Sequence, residues 1–284
     1  MKKVAIFDID GTLFRSSLLI ELVDVLVERG TFPAKALQAF AKDKERWQNR
    51  QGSYERYIDR TVKAFMEHIK GVSYQDFREA TEIVAKRYRE RLYRYTRALL
   101  KRLKREGYFL LAISQSPKGV LDPFGKTLGF DKIYGRLYEL GPSDRFTGTI
   151  TDLHLISNKA NIVKRAVAKE GLTLEGSVGV GDTEGDISFL EMVETPICFN
   201  PNKALYRHAK RNGWKVVVER KDMIYEIERG KSQAEGKKGR GRTLQKGSKW
   251  YNTGSSLLND RSVAQAMGRK VRTWARASGQ KGSR

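Results

Sequence analysis

The sequence predicts an α/β protein with a doubly wound, Rossmann-like parallel sheet, an inserted α-helical cap and a basic C-terminal tail. Short, continuous apolar runs such as residues 4–7 indicate strands that are buried on both faces. These runs alternate with stretches of helical periodicity, which is typical of parallel sheets whose crossovers are helices. A long helical stretch directly after the first strand predicts the cap.

The cap is predicted from a stripe at helical spacing and from the helix formers that follow it. The stripe consists of Leu18, Leu22, Val25 and Leu26. Helix formers then dominate to about residue 103, with breaks at 30–33, 52–53 and 71–73. We therefore expect four or five helices within residues 15–103, which would determine substrate specificity.

Strand and helix signals return after the cap and predict the rest of the core. Further strands are predicted at 108–113, 177–180, 195–199 and 215–218, a two-stranded excursion at 132–138 and 146–150, and a helix at 159–170. The predicted catalytic core therefore comprises residues 1–14 and 104–229, and the tail comprises residues 230–284.

Positive charge is concentrated at the C-terminal end of the chain. Of the net charge of +22, residues 231–284 contribute +12, with 14 lysines and arginines against Glu235 and Asp260. Little apolar periodicity accompanies this charge, so we expect a disordered or partly helical tail. A basic amphipathic helix at 259–277 would suit nucleic acid or an anionic surface. The alternative is a solvated tail with no defined partner.

Cysteine content and hydropathy predict a cytoplasmic protein. Cys198 is the only cysteine among the 284 residues, so no internal disulfide can form, as is usual in a reducing compartment. It stands in the apolar run 196–199, which indicates a buried packing residue. The sequence has no apolar run of transmembrane length, and the first strand is too short for the hydrophobic region of a signal peptide.

Polar residues that suit one reaction follow three of the predicted strands. Asp8 and Asp10 follow the first strand, Ser114 follows the strand at 108–113, and Asp182 and Asp186 follow the strand at 177–180. Ligands of open α/β sheets bind beyond the carboxyl ends of the strands. Each residue alone has an ordinary interpretation as a turn or a helix cap. Together with Lys159 at a helix start, they predict a site that handles phosphate.

The chemistry of phosphoryl transfer explains these residue types. Clustered carboxylates repel one another and the phosphoryl group, so a divalent cation is required, and Mg²⁺ prefers oxygen ligands such as Asp8 and Asp182. Asp8 could attack phosphorus, while Asp10 could protonate the leaving oxygen and then deprotonate water. Ser114 could donate a hydrogen bond to a phosphoryl oxygen, and Lys159 could neutralise developing charge.

The order of these motifs resembles the haloacid dehalogenase superfamily over residues 2–219. The matching motifs are DxDGT at 8–12, the strand-terminal Ser114, Lys159 and GDxxxD at 181–186. The helical insertion and the segment 198–217 resemble the phosphoserine-phosphatase-like branch, whose core is Rossmann-like and whose cap is helical.

The resemblance assigns roles to the residues of these motifs. It implies that Asp8 is the nucleophile and Asp10 the general acid and base. It also implies that Mg²⁺ is held by the side chains of Asp8 and Asp182 and the backbone carbonyl of Asp10. Asp186 would be a further ligand or a carboxylate behind the ligands, and Thr12 would position the loop.

Two comparisons within the superfamily narrow the expected reaction. Members that cleave carbon–halogen bonds lack an aspartate at the place of Asp10, so this chain is expected to act on phosphate esters. Phosphoserine enzymes carry glutamate at the place of Ser17 and two glycines at the places of Gln115 and Ser116, so phosphoserine is not the expected substrate.

The expected function is a Mg²⁺-dependent phosphatase that acts on a small phosphorylated metabolite through an aspartyl-phosphate. The alternatives are a phosphotransferase of the same fold and a nucleic-acid-associated protein that uses the tail.

Overall fold

A mostly parallel sheet of eight strands organises the part of the chain that the computed structural model describes, residues 1–152 and 158–227. The strands are β1 Lys2–Phe7, β2 Phe109–Pro117, β3 Lys132–Leu140, β4 Phe146–Thr151, β5 Leu172–Gly181, β6 Thr195–Phe199, β7 Lys215–Arg220 and β8 Met223–Ile227. Their order across the sheet is β4-β3-β2-β1-β5-β6-β7-β8. Only the outermost pairs, β3 with β4 and β7 with β8, are antiparallel. The predicted α/β class is confirmed.

Helices fill the intervals between the strands. They are α1 Leu18–Glu28, α2 Lys35–Gln48, α3 Tyr54–Ile69, α4 Tyr74–Tyr88, α5 Arg94–Arg105, α6 Lys118–Leu128, α7 Lys159–Glu170, α8 Ile187–Leu190 and α9 Lys203–Asn212. Five of them, α1–α5, lie between β1 and β2, as the helical periodicity predicts. The predicted stripe of α1 is buried along its whole length.

The first strand is buried on both faces, as its apolar run predicts. Ala5 and Phe7 pack into the hydrophobic core on one side of the sheet, and Val4 and Ile6 pack into the core on the other side. Phe7 pairs with Ala112 of β2 and with Val180 of β5, and both pairings are parallel. The carboxyl ends of these three strands therefore meet at one edge of the sheet.

Two of the three predicted breaks in the cap, 52–53 and 71–73, end in residues that cap a helix start. Ser53 Oγ accepts a hydrogen bond from the Arg56 N–H at 3.2 Å, and Ser73 Oγ accepts one from the Asp76 N–H at 3.1 Å. Each bond satisfies a backbone donor that the first turn leaves free. The predicted boundaries between cap and core, near residues 14 and 103, remain a prediction.

Some strands are longer than their apolar runs. β2 continues past residue 113 through the polar segment 114–116, and β5 begins at Leu172 instead of 177. The register between β1 and β5 shifts between Lys3 and Ala5, and residues 173–176 of β5 are partly or fully exposed. No continuous apolar run therefore marks the start of β5. The two-stranded excursion predicted at 132–138 and 146–150 is confirmed, and its strands pair antiparallel, whereas β8 was not predicted.

Three further expectations concern the tail, the burial of Cys198 and membrane-spanning segments. The tail of 230–284 and its helix at 259–277 lie outside the described residues. Cys198 is fully buried, as predicted, and burial raises the pKa of its thiol to about 12. None of the helices described in 1–152 and 158–227 combines the length and apolar character that crossing a membrane requires.

Candidate active site

The loop after β1 brings the first two aspartates to the edge of the sheet. The backbone N–H of Asp8 donates to the Val180 carbonyl oxygen at 3.0 Å and so extends the ladder between β1 and β5. Gly11 has a φ of +80°, and a Cβ at this position would lie 2.1 Å from Asp182 Oδ2. Only glycine allows the loop to approach this carboxylate so closely.

Three donors fix the carboxylate of Asp10. The N–H of Leu18, at the start of α1, donates to Oδ1 at 2.6 Å, while the hydroxyls of Ser114 and Ser116 donate to Oδ2 at 2.5 and 2.8 Å. Burial raises the pKa of Asp10, although the bonds from Ser114, Leu18 and Ser116 oppose this effect. Asp10 thus serves as the acceptor for an N-terminal N–H of α1, and it has a raised affinity for protons.

Ser116 is a site residue that the sequence prediction missed. Ser114 and Ser116 lie two residues apart on β2, so their side chains point to the same face. Ser114 is fully buried, and its Oγ also accepts a bond from the Ser116 N–H at 2.9 Å. The predicted partner of Ser114 is a phosphoryl oxygen, whereas the structure places its hydroxyl on Asp10. The alternation Ser-x-Ser on a strand was the available signal.

Lys159 lies between two buried carboxylates. Its Nζ is 2.5 Å from Asp8 Oδ1 and 2.5 Å from Asp186 Oδ1. Burial alone lowers the pKa of this ammonium, but Asp186 and Asp8 outweigh the effect and raise it above its usual value. Lys159 is therefore charged at physiological pH and directly contacts the predicted nucleophile.

The loop after β5 orients the second pair of aspartates. Asp186 Oδ2 accepts the backbone N–H groups of Asp182 and Thr183 at 2.9 and 3.1 Å. Thr12 Oγ1 donates to Asp182 Oδ1 at 3.2 Å. The predicted role of Thr12 in positioning a loop corresponds here to a contact between the first and last motifs.

The carboxylates of Asp8, Asp182 and Asp186 form a cluster suited to a cation. One oxygen from each lies within 4.8 Å of the others. Burial raises the pKa of Asp8 to about 8, with Lys159 opposing and Asp186 and Asp10 adding to the rise. Burial, Asp8 and Asp186 likewise raise the pKa of Asp182. Such carboxylates favour a divalent cation, and oxygen ligands fit Mg²⁺.

A cavity of about 230 Å³ is lined by Asp8, Asp10 and Asp182. On the cap side its walls include Tyr54, Ile58 and Val62, which follow one another at a spacing of four residues on α3. Burial, followed by Asp10 and Asp182, raises the pKa of the Tyr54 phenol. Tyr54 lies within the predicted cap, but the sequence analysis did not identify it as a site residue.

The core side of the cavity contributes two further residues that the sequence did not single out as ligand contacts. Gln115 and Arg136 line it, and Arg136 Nε donates to Gln115 Oε1 at 2.9 Å. Ser17, which replaces the glutamate of phosphoserine enzymes, also lines it. The expectation that phosphoserine is not the substrate remains a prediction.

Proteins similar to this chain include two relatives and one solved structure. The "Inhibition of morphological differentiation protein" of Streptomyces azureus is 30% identical over 111 residues, 39% of this chain and 40% of the relative. The "Histidinol-phosphatase" of Neisseria meningitidis serogroup C is 26% identical over 226 residues, 76% of this chain and 99% of the relative. A phosphoserine phosphatase structure described as a phospho-aspartyl intermediate analogue has the same fold. Its TM-score is 0.51 at 21% identity, with 78% of this chain and 95% of that one covered.

A family match covers more than half of the chain, including all of α1–α5. The sequence model of haloacid dehalogenase-like hydrolases matches residues 5–191, which include the aspartates after β1, Ser114, Lys159 and the loop after β5. This match confirms the predicted resemblance and the predicted enzyme class, a hydrolase. The chain belongs to the family of haloacid dehalogenase-like hydrolases.

Proposed function

We propose that the chain is a Mg²⁺-dependent phosphomonoester hydrolase that acts on a small phosphorylated metabolite through an aspartyl-phosphate. The observation that carries this proposal is the position of Asp8, which contacts Lys159 and belongs to the cluster with Asp182 and Asp186 beneath one cavity. The family supports hydrolysis. The Neisseria relative, which this chain matches over 99% of its length, is named a phosphatase, and this name supports a phosphate ester as substrate.

In the first step, a carboxylate oxygen of Asp8 forms a bond to phosphorus while the bond from phosphorus to the alcohol oxygen breaks. Asp10, in its protonated form, gives its proton to the leaving oxygen. The raised pKa of Asp10 suits this task because the carboxyl group then retains a proton to higher pH. The products of the step are the free alcohol and the phosphorylated Asp8.

In the second step, water attacks the phosphorus of the aspartyl-phosphate and Asp10 accepts a proton from it. The bond between Asp8 and phosphorus breaks, so phosphate is released and the Asp8 carboxylate is restored. The hydroxyls of Ser114 and Ser116 and the N–H of Leu18 keep Asp10 in one orientation through both steps.

The residues that would hold Mg²⁺ are the side chains of Asp8 and Asp182 and the backbone carbonyl of Asp10. Bound there, Mg²⁺ supplies positive charge against the phosphoryl oxygens. We assign Asp186 a positioning role, since Lys159 takes one of its oxygens and two backbone N–H groups take the other. Lys159 neutralises charge next to the nucleophile.

The test compares Asp8→Asn with Asp122→Asn, which removes an exposed carboxylate on α6. Hydrolysis of p-nitrophenyl phosphate with Mg²⁺ is measured for both variants and for the unaltered chain, and circular dichroism verifies folding. We expect Asp8→Asn to lose about a thousandfold or more in turnover, as is typical when a nucleophile is removed. Asp122→Asn is expected to match the unaltered chain, and chelation of Mg²⁺ is expected to abolish turnover. Undiminished hydrolysis by Asp8→Asn would refute the proposal.

The two alternatives differ in what they require. A phosphotransferase would pass the phosphoryl group to an alcohol, so added acceptor alcohols would lower the yield of inorganic phosphate relative to p-nitrophenol. The nucleic-acid alternative rests on the net charge of +12 in residues 231–284. That segment lies outside the described residues, and the names of the similar proteins do not support nucleic-acid binding.

A further inference from the structure

A second cavity lies next to the catalytic one. Its volume is about 570 Å³, and it shares with the catalytic cavity the wall residues Tyr54, Ile58, Asp182, Thr183 and Gly185. Pockets for small molecules usually measure roughly 300–1,000 Å³. The catalytic cavity alone, at about 230 Å³, falls below this range, whereas the second cavity lies within it. A substrate with its phosphoryl group at Asp8 therefore has room for its leaving group beyond Tyr54.

Aromatic rings form part of the walls of the second cavity. Trp47, Tyr54 and Tyr93 contribute them. The ring centroids of Trp47 and Tyr54 are 5.3 Å apart, and Tyr93 packs edge-on against Phe199 at 4.9 Å. These contacts hold the rings in place, so they offer preformed surfaces for a planar group.

Carboxylates outnumber cations along the same walls. Glu55 and Asp59 lie one turn apart on α3, and Glu184 follows β5. Within residues 1–152 and 158–227, neither Glu55 nor Asp59 has an ion-pair partner, although the chain carries a net charge of +22. Arg15 is the one cation among the described wall residues, and its guanidinium lies over the Tyr93 ring at 5.6 Å.

Two other acidic residues of the cap helices, by contrast, have arginine partners. Glu28 pairs with Arg87 at 2.7 Å, and Glu21 pairs with Arg91 at 2.6 Å. The carboxylates of Glu55 and Asp59, which have no ion-pair partner and lie in the same cavity wall as aromatic rings, can therefore bind a positively charged group of a ligand. Aromatic faces add to this attraction because their quadrupole favours cations.

We propose that the second cavity binds the leaving group of the substrate and selects an alcohol that carries both an aromatic ring and a cationic group. The ring packs against Trp47 and Tyr54, and the cation lies near Glu55 and Asp59. This inference rests on the proposed function, because it assumes that the phosphoryl group lies at Asp8.

The test uses three ligands of one shape and different charge: tyramine, 4-ethylphenol and 3-(4-hydroxyphenyl)propionate, together with their phosphate esters. The full-length chain is compared with Glu55→Gln/Asp59→Asn and with the control Glu45→Gln/Glu82→Gln, which removes two exposed carboxylates of the cap elsewhere. Calorimetry measures binding of the free phenols to full-length Asp8→Asn, alone and combined with each pair of substitutions. Steady-state kinetics with Mg²⁺ measures kcat/KM for the esters.

We expect tyramine to bind about tenfold more tightly than the propionate, and we expect its ester to show a similar advantage in kcat/KM. The reason is that two exposed carboxylates and the aromatic faces attract its ammonium group. Glu55→Gln/Asp59→Asn should reduce this ratio to about one, and the control pair should keep it. Equal binding and equal kcat/KM for the cationic and anionic compounds would overturn the inference while leaving phosphatase activity intact. Selective binding of tyramine without hydrolysis of any ester would support the cavity and refute the proposed function.

Discussion

Lys159 and Asp8 form a buried ion pair in which Nζ lies 2.5 Å from Oδ1. The same ammonium contacts Asp186, so one positive charge serves two buried carboxylates. Removal of one partner from a buried pair leaves a charge without compensation and is costly. The pair therefore links the stability of the core to the charge balance of the catalytic cavity.

At pH 9, above the pKa of Asp8, Lys159→Met should destabilise the metal-free protein by about 3–5 kcal/mol, because Asp8 and Asp186 lose their shared partner. The free energy of unfolding is measured by urea denaturation with and without Mg²⁺. We expect Mg²⁺ to recover part of the loss, since it neutralises the same carboxylates. Lys118→Met, which removes a partly exposed cation on α6, is the control and should change stability little. Equal stability of the two variants would contradict the proposed charge balance.

Gly11→Ala should abolish hydrolysis and weaken Mg²⁺ binding, because the added Cβ would lie 2.1 Å from Asp182 Oδ2. Gly107→Ala is the matched control, since Gly107 has a φ of +81° and nothing lies within 4 Å of its added Cβ. Both substitutions strain a left-handed residue by about 1–2 kcal/mol, but only the first disturbs the carboxylate. Thermal denaturation and calorimetric titration of Mg²⁺ separate strain from site damage. Similar loss of activity in both variants would refute a specific role for Gly11.

Asp10→Asn should retain the rapid first release of p-nitrophenol from p-nitrophenyl phosphate but should slow the steady-state turnover that follows. The leaving group p-nitrophenolate needs no proton, so phosphorylation of Asp8 should continue with p-nitrophenyl phosphate. Alkyl phosphates need a general acid and should lose about 10²–10⁴-fold in turnover. Rapid mixing measures the burst, and Asp122→Asn is again the control. If Asp10→Asn lowered the burst rate and the steady-state turnover of aryl and alkyl esters by the same factor, Asp10 would not be the proton carrier.

The stability of the metal-free protein should depend on pH through Asp8. The pKa of Asp8 is raised to about 8 in the folded state, so the folded protein retains a proton that the unfolded chain loses at lower pH. Its contribution to stability is therefore full below the unfolded pKa and is lost as pH rises towards 8. Urea denaturation in EDTA at pH 5 and pH 8 should show a fall for the unaltered chain. The fall should be smaller in Asp8→Asn, and a fall of equal size in both would contradict this assignment.

The sequence predicted the parts of the site that depend on strand ends. Asp8 and Asp182 follow β1 and β5, and Ser114 lies towards the carboxyl end of β2. These three parallel strands are neighbours in the sheet, so the meeting of the residues follows from fold class alone. The helix predicted at 159–170 coincides with α7 and brings Lys159 to the same edge of the sheet. These features are local or are set by the topology of the sheet.

The residues that the sequence missed depend on packing between distant segments. Tyr54 reaches the aspartates only because α3 folds over the edge of the sheet, and periodicity gives no information on that placement. Arg136 reaches the cavity from β3, where a strand of mixed exposure offers no distinguishing pattern. Ser116 differs from these two, since its spacing from Ser114 on one strand was visible in the sequence.

Capture of the phosphorylated enzyme tests the aspartyl-phosphate most directly. The chain is mixed with p-nitrophenyl phosphate and Mg²⁺, quenched in acid within the burst phase, digested and examined by mass spectrometry. We expect a phosphoryl group on the peptide that contains Asp8, its disappearance when the reaction is allowed to finish, and its absence in Asp8→Asn. Turnover with no phosphoryl group on that peptide, or with a phosphoryl group on another residue, would contradict the proposed mechanism.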